Sequence, residues 1–90
     1  MAGPEATIER AVNFVARRTG WTVRKLITEG NKGAPDRMYM REGRIVFIEF
    51  KAPGEAAEPK QKIEHRRYRK NGFEVYVVDS VQGGRNALTD

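Results

Sequence analysis

The stretch that decides the fold runs from Gly33 to Lys51, GAPDRMYMREGRIVFIEFK. Its two extended segments, 36–41 and 44–51, flank Glu42-Gly43, a dipeptide suited to a hairpin turn. If the turn has two residues, Arg41 pairs with Arg44 and counting back sets Asp36 opposite Glu49. A type I turn with a glycine bulge shifts the pairing by one and sets Asp36 against Ile48. Either register brings the carboxylates together. Directly opposed Cβ atoms lie roughly 4.5 to 5.5 Å apart, where like charges repel unless a cation lies between them. Alternation puts Lys51 on the face of Glu49, and Val46, Ile48 and Phe50 on the other. Met38, Met40, Ile45 and Phe47 extend the carboxylate face as an apolar floor, so both faces of the sheet are expected to be covered.

Upstream, Pro4 to Arg18 reads as a helix that buries Ile8, Ala11, Val12 and Val15 and ends at Gly20, with Glu9 at the rim of its buried stripe. Trp21 to Ile27 reads as a strand with Trp21, Val23 and Ile27 on one side, and Thr28 to Pro35 as a turn-rich loop. Downstream, Ala52 to Pro59 is loop by composition. Pro59 opens a basic helix stopped by Gly72, with Gln61, His65 and Tyr68 along one stripe. Phe73 to Val78 reads as a buried strand, and Asp79 to Asp90 as a turn or short helix weakened by Gly83-Gly84. The chain is therefore expected to be α/β in the order αβββαβ, a mixed sheet flanked by helices. At 90 residues it has room for one domain spanning 1–90.

Seventeen Lys and Arg against twelve Asp and Glu give a net charge of +5, which favours polyanionic partners, nucleic acid first. With no cysteine and a single histidine, His65, disulfides, iron–sulfur clusters and thiolate zinc sites are excluded and an all-protein zinc site is disfavoured. Any metal is expected to be a hard ion held by oxygens. No apolar run reaches the length of a membrane span and the N-terminus lacks a signal-peptide core, so an intracellular, cytoplasmic protein is expected, without membrane or small-molecule partners. The mean hydropathy of −0.68 points to a wet surface that a partner covers in part.

The residues that stand out are Glu9, Asp36, Glu49, Lys51 and Gln61. Carboxylates meeting at the end of a sheet suit Mg2+ or Mn2+, which would acidify a water and neutralise charge on a phosphodiester. Lys51 on the same face is placed to serve the attacking water and the developing negative charge.

Gly33-Ala34-Pro35-Asp36 with Phe47-Ile48-Glu49-Phe50-Lys51 resembles the PD-(D/E)xK nuclease signature. The helix with Glu9, the GxPD and IEFK motifs, Gln61 opening a basic helix and the closing GFEVYVV resemble the virus-type replication-repair nuclease (VRR-NUC) group, over about Thr7 to Ser80, as in stand-alone phage members. The resemblance implies a restriction-endonuclease-like core. It implies Asp36, Glu49 and the Phe50 backbone carbonyl as metal ligands, Glu9 as a supporting ligand, Lys51 as the catalytic lysine and Gln61 as a group positioning water or phosphate. It further implies a homodimeric endodeoxyribonuclease acting on branched DNA such as four-way (Holliday) junctions, in replication, recombination or repair. Lys32, Arg37, Lys62, Arg66, Arg67 and Lys70 are the cations expected to track the DNA backbone without reading sequence.

Plainer readings stand beside these. Glu9 also reads as an exposed glutamate favoured by the helix dipole, Gln61 as a helix-opening residue, His65 as a satisfied or DNA-facing histidine, and the basic helix as a solvated face. A non-catalytic nucleic-acid-binding module of the same fold is the alternative function, and an RNA-directed nuclease a third. The Trp21 strand and the second helix carry large side chains without an evident core and are the candidate dimer surfaces.

Overall fold

The computed structural model describes residues 3–30 and 32–89; Asn31 in the expected loop, Asp90 in the expected C-terminal turn, and Met1 and Ala2 lie outside it. The elements are α1 (Pro4–Arg18), β1 (Thr22–Lys25), β2 (Arg37–Arg41), β3 (Arg44–Phe50), α2 (Pro59–Lys70), β4 (Glu74–Val78) and α3 (Val81–Ala87). The α/β order expected from sequence is met, closed by a further helix. The sheet runs β1-β2-β3-β4, with β1 to β3 antiparallel and β4 parallel to β3, so it is mixed, with a restriction-endonuclease-like arrangement.

The two-residue turn is the one the chain adopts. Arg41 pairs with Arg44 and Arg37 with Ile48, where the regular pairing ends; the Asp36 N–H bonds to Ile48 O, and its carboxyl interacts with that of Glu49. Both turn residues take positive φ, +47° at Glu42 and +82° at Gly43, as a turn matching the twist of its strands requires.

One sheet face packs on α1 and α3. Tyr39, Val46, Ile48 and Phe50 point to it and meet Ile8, Val12 and Ala16 of α1 and Ala87 and Leu88 at the C-terminal end. Tyr39 is fully buried, and its hydroxyl donates to Asn13 Oδ1 at 2.5 Å, tying α1 to β2. The other face is covered by α2 only toward β3 and β4, where Phe47 meets the rings of Tyr68 and Phe73 edge-on. Met38, Met40 and Ile45 stay half-buried, so the expected covering of both faces is incomplete.

Several local expectations are corrected. β1 stops at Lys25, and Ile27 is 82% exposed rather than turned to the core. Trp21 is buried, its ring covered by the guanidinium groups of Arg41 at 4.4 Å and Arg44 at 5.5 Å, so it is not the uncovered side chain that marked its strand as a dimer surface. β4 is an edge strand with Phe73, Tyr76 and Val77 partly exposed, since nothing in the sheet pairs beyond it. Arg44 also donates twice to Glu74 across the β3–β4 pair, and these bonds hold the Glu74 carboxyl down at about 2.

Gly83-Gly84, read as a weakness, lies inside α3. Ser80 caps the helix by accepting from Gly83 N–H at 2.9 Å, and Gly84 makes room for α1, because a Cβ there would collide with Val12 Cγ2. Gly84→Ala is accordingly expected to destabilise the protein by ~1–3 kcal/mol despite alanine's better helix propensity. Thermal melts check this, and a Val12→Ala partner should recover part of the loss.

Candidate active site

The carboxyls of Asp36 and Glu49 interact at one end of the sheet, where a cleft of about 680 Å³ opens. Glu9, Asp36, Arg37, Glu49, Phe50 and Lys51 are among the residues that line it, so three of the predicted chemical groups and the predicted supporting glutamate share one cavity.

Asp36 ends the loop that precedes β2. Its own N–H donates to Ile48 O at 3.0 Å, and its Oδ2 accepts the Phe50 N–H at 2.8 Å, so the side chain prolongs the β2–β3 ladder where the backbone stops. Phe50, expected to act through its carbonyl, thus contributes its N–H to the arrangement. The Gly33 of the GxPD motif is required by close packing, since a Cβ there would stand 2.5 Å from Lys60 O in the first turn of α2. Only glycine lets this loop seat on α2 and deliver Pro35 and Asp36 to the cleft.

Glu49 points to the α2 side and is 4% exposed. Gln61 Nε2 donates to its Oε2 at 3.1 Å, while Gln61 Oε1 accepts the Glu58 N–H at 2.9 Å. Both ends of the Gln61 amide are therefore committed, one to the carboxylate and one to the helix start, so in this state it holds Glu49 rather than a water or phosphate. Glu49 Oε1 is buried with no hydrogen-bond partner among the described residues.

Asp36 has its carboxyl pushed up from 3.8 to about 6, chiefly by burial, with the Phe50 N–H opposing and the charge of Glu49, a hydrogen bond from the protonated Asp36 to Glu49, and the charge of Glu9 adding to the rise. Two interacting carboxyls in one cleft, one of them with a raised affinity for protons, mark negative charge without a counter-charge. A hard divalent cation fits that deficit. Among the described residues no three Asp, Glu or His side chains stand close enough to enclose an ion, so the donors at hand are the carboxylate pair, backbone and water.

Glu9 reaches the same cleft, but its Oε2 accepts the Arg37 Nε–H at 2.6 Å, both side chains being about one quarter exposed. Arg37, expected among the DNA-tracking cations, is thereby engaged with α1. Lys51 lies half-buried on the face of Glu49, with its N–H bonded to Val78 O at 2.9 Å. Lys62, Arg66 and Lys70 are exposed on α2. Lys32, Lys60 and Arg67 surround a separate cleft of about 340 Å³, where Arg67 also pairs with Glu64 at 3.4 Å.

Sequence reasoning undervalued His65. It is 1% exposed, which rules out a DNA-facing role, and its Nε2 points at Glu49 Oε1 from 3.9 Å. The i, i+4 spacing from Gln61 was the available signal.

No protein-family model matches the chain. It is 39% identical over 77 residues to a protein provisionally named nuclease p44, from Acyrthosiphon pisum secondary endosymbiont phage 1, covering 84% of this chain and 83% of that protein. The solved structure of a VRR_NUC domain superposes with a TM-score of 0.86 at 34% identity, covering 94% of each chain. The chain belongs to the VRR-NUC nuclease family. Asp36, Glu49 and Lys51 line one cleft within this fold.

Proposed function

We propose that this protein is a Mg2+- or Mn2+-dependent endodeoxyribonuclease that hydrolyses phosphodiester bonds, selects branched DNA such as four-way junctions, and works as a homodimer in replication, recombination or repair. The observation that carries the reading is the interaction of the Asp36 and Glu49 carboxyls at the end of the hairpin, with Lys51 on the same cleft. When bound, the cation supplies positive charge to the phosphate oxygens and acidifies water.

The chain's own residues do the rest. Asp36 and Glu49 hold the ion as ionised carboxylates, which requires Asp36 to lose the proton that burial favours. Gln61 fixes the orientation of Glu49 through Oε2. Lys51 orients the attacking water and places its ammonium where charge develops on the phosphate. The exposed Lys62, Arg66 and Lys70 of α2 track the backbone without sequence preference, in keeping with selection by DNA shape.

The test is cleavage of four-way, flap and linear duplex DNA in magnesium and in chelator, with sedimentation of the free and DNA-bound protein. Cuts in the branched substrates alone, lost in chelator and made by a dimer, are expected. Cleavage unchanged by chelator would overturn the cation-dependent reading, and equal cutting of linear duplex would overturn the preference for branches.

A further inference from the structure

The imidazole of His65 lies beside the Glu49 carboxylate in a position the chemistry above does not use. It is among the largest fully buried side chains, and its Nε2 and Glu49 Oε1 are both buried polar atoms with no hydrogen-bond partner among the described residues. They face each other at 3.9 Å. That gap exceeds a direct hydrogen bond, at roughly 2.7 to 3.2 Å. Two orphaned polar atoms so placed are resolved by a small side-chain rotation that brings donor to acceptor. The backbone under them is well anchored: Gly33 packs against Lys60 O, and Gln61 closes onto Glu58 N.

We propose that His65 is a positioning residue whose Nε2–H donates to Glu49 Oε1, so that α2 grips both oxygens of this carboxylate, Gln61 at one and His65 at the other. The inference rests on the cation-binding reading above. A carboxylate held at both oxygens is ordered before the ion arrives. Glu49 left with one tether has to be ordered by the ion itself, at the expense of affinity.

The experiment measures Mn2+ binding by calorimetry, in the absence of DNA. His65→Leu fills the site without a donor and is expected to weaken binding by about tenfold or more. His65→Gln, whose amide nitrogen reaches a similar point, is expected to stay within about threefold of the parent. Equal affinity in the parent and the leucine variant, or equal losses in both variants, overturns the inference and leaves the functional reading intact. A parent protein that binds no divalent ion overturns both.

Nitrogen-15 NMR of the unmutated protein gives a second test that needs no variant to fold. With a single histidine in the chain its imidazole signals need no assignment. A proton on Nε2 is expected; a neutral ring protonated only on Nδ1 turns a lone pair toward the carboxylate and overturns the inference.

Discussion

Lys51→Ala is expected to lower magnesium-supported DNA cleavage by ~10²- to 10⁴-fold, with DNA affinity changed by less than about threefold. The size follows from what the side chain is asked to do, since it serves the water and the developing charge rather than the resting complex. The backbone at this position is held by the ladder, Lys51 N–H to Val78 O at 2.9 Å, and the half-buried side chain leaves no core cavity when truncated. Glu49→Gln should abolish cleavage to a similar degree for a different reason. It removes one of the paired charges, so the magnesium-induced rise in melting temperature should vanish in Glu49→Gln and persist in Lys51→Ala. Cleavage assays run beside thermal melts separate the two roles, and vigorous cutting by Lys51→Ala would sink the assigned part of the lysine.

The second large effect concerns Asp36, whose carboxyl sits at about 6 in the folded chain against 3.8 ordinarily. Between those values the folded protein keeps a proton that the unfolded chain has released, so stability falls as pH rises through the window and stays at its low level above it. In chelator the protein should therefore melt at a higher temperature at pH 5 than at pH 7, relative to Asp36→Asn, which has no such proton. Glu74, held down at about 2 by Arg44, is present in both proteins, so its contribution cancels in the comparison with Asp36→Asn. Magnesium should reverse the ranking at pH 7. A ligand at 100 times its Kd adds about 2.7 kcal/mol, and each kcal/mol moves the melting point of a small domain by about 4–8 °C. The parent should thus gain ~10 °C or more while Asp36→Asn gains almost none. Stability of the metal-free parent that climbs from pH 5 to pH 7 relative to Asp36→Asn would refute the electrostatic account of the site.

Both expectations rest on a pairing that is legible in the amino-acid sequence. The period-2 alternation of a strand and a two-residue turn at Glu42-Gly43 leave few ways to align Asp36 with Glu49, because a slip of one residue would exchange the two faces of the strand. Local chemistry of this kind also marked the helix opened by Pro59 and stopped near Gly72, and the family motifs within them. Less legible were the places where a residue answers to a distant neighbour. Gly84 looked like a helix breaker, and only its contact with Val12, far away along the chain, explains it. Trp21 looked homeless because its cover is two arginines from the hairpin, and Ile27 looked buried because alternation alone cannot say where a strand stops.

The sequence by itself thus determined the element order, the nearness of the two carboxylates and the basic helix, all consequences of short-range periodicity and turn geometry. Tertiary structure alone decided who holds whom: Glu9 bonded to Arg37, Gln61 clamped between Glu49 and Glu58, and His65 buried under the second oxygen of Glu49. The physical reason is that these partnerships depend on the distance and angle at which α1 and α2 lie on the sheet. Those are set by packing at Gly33, Gly84 and Phe47, summed over the whole core.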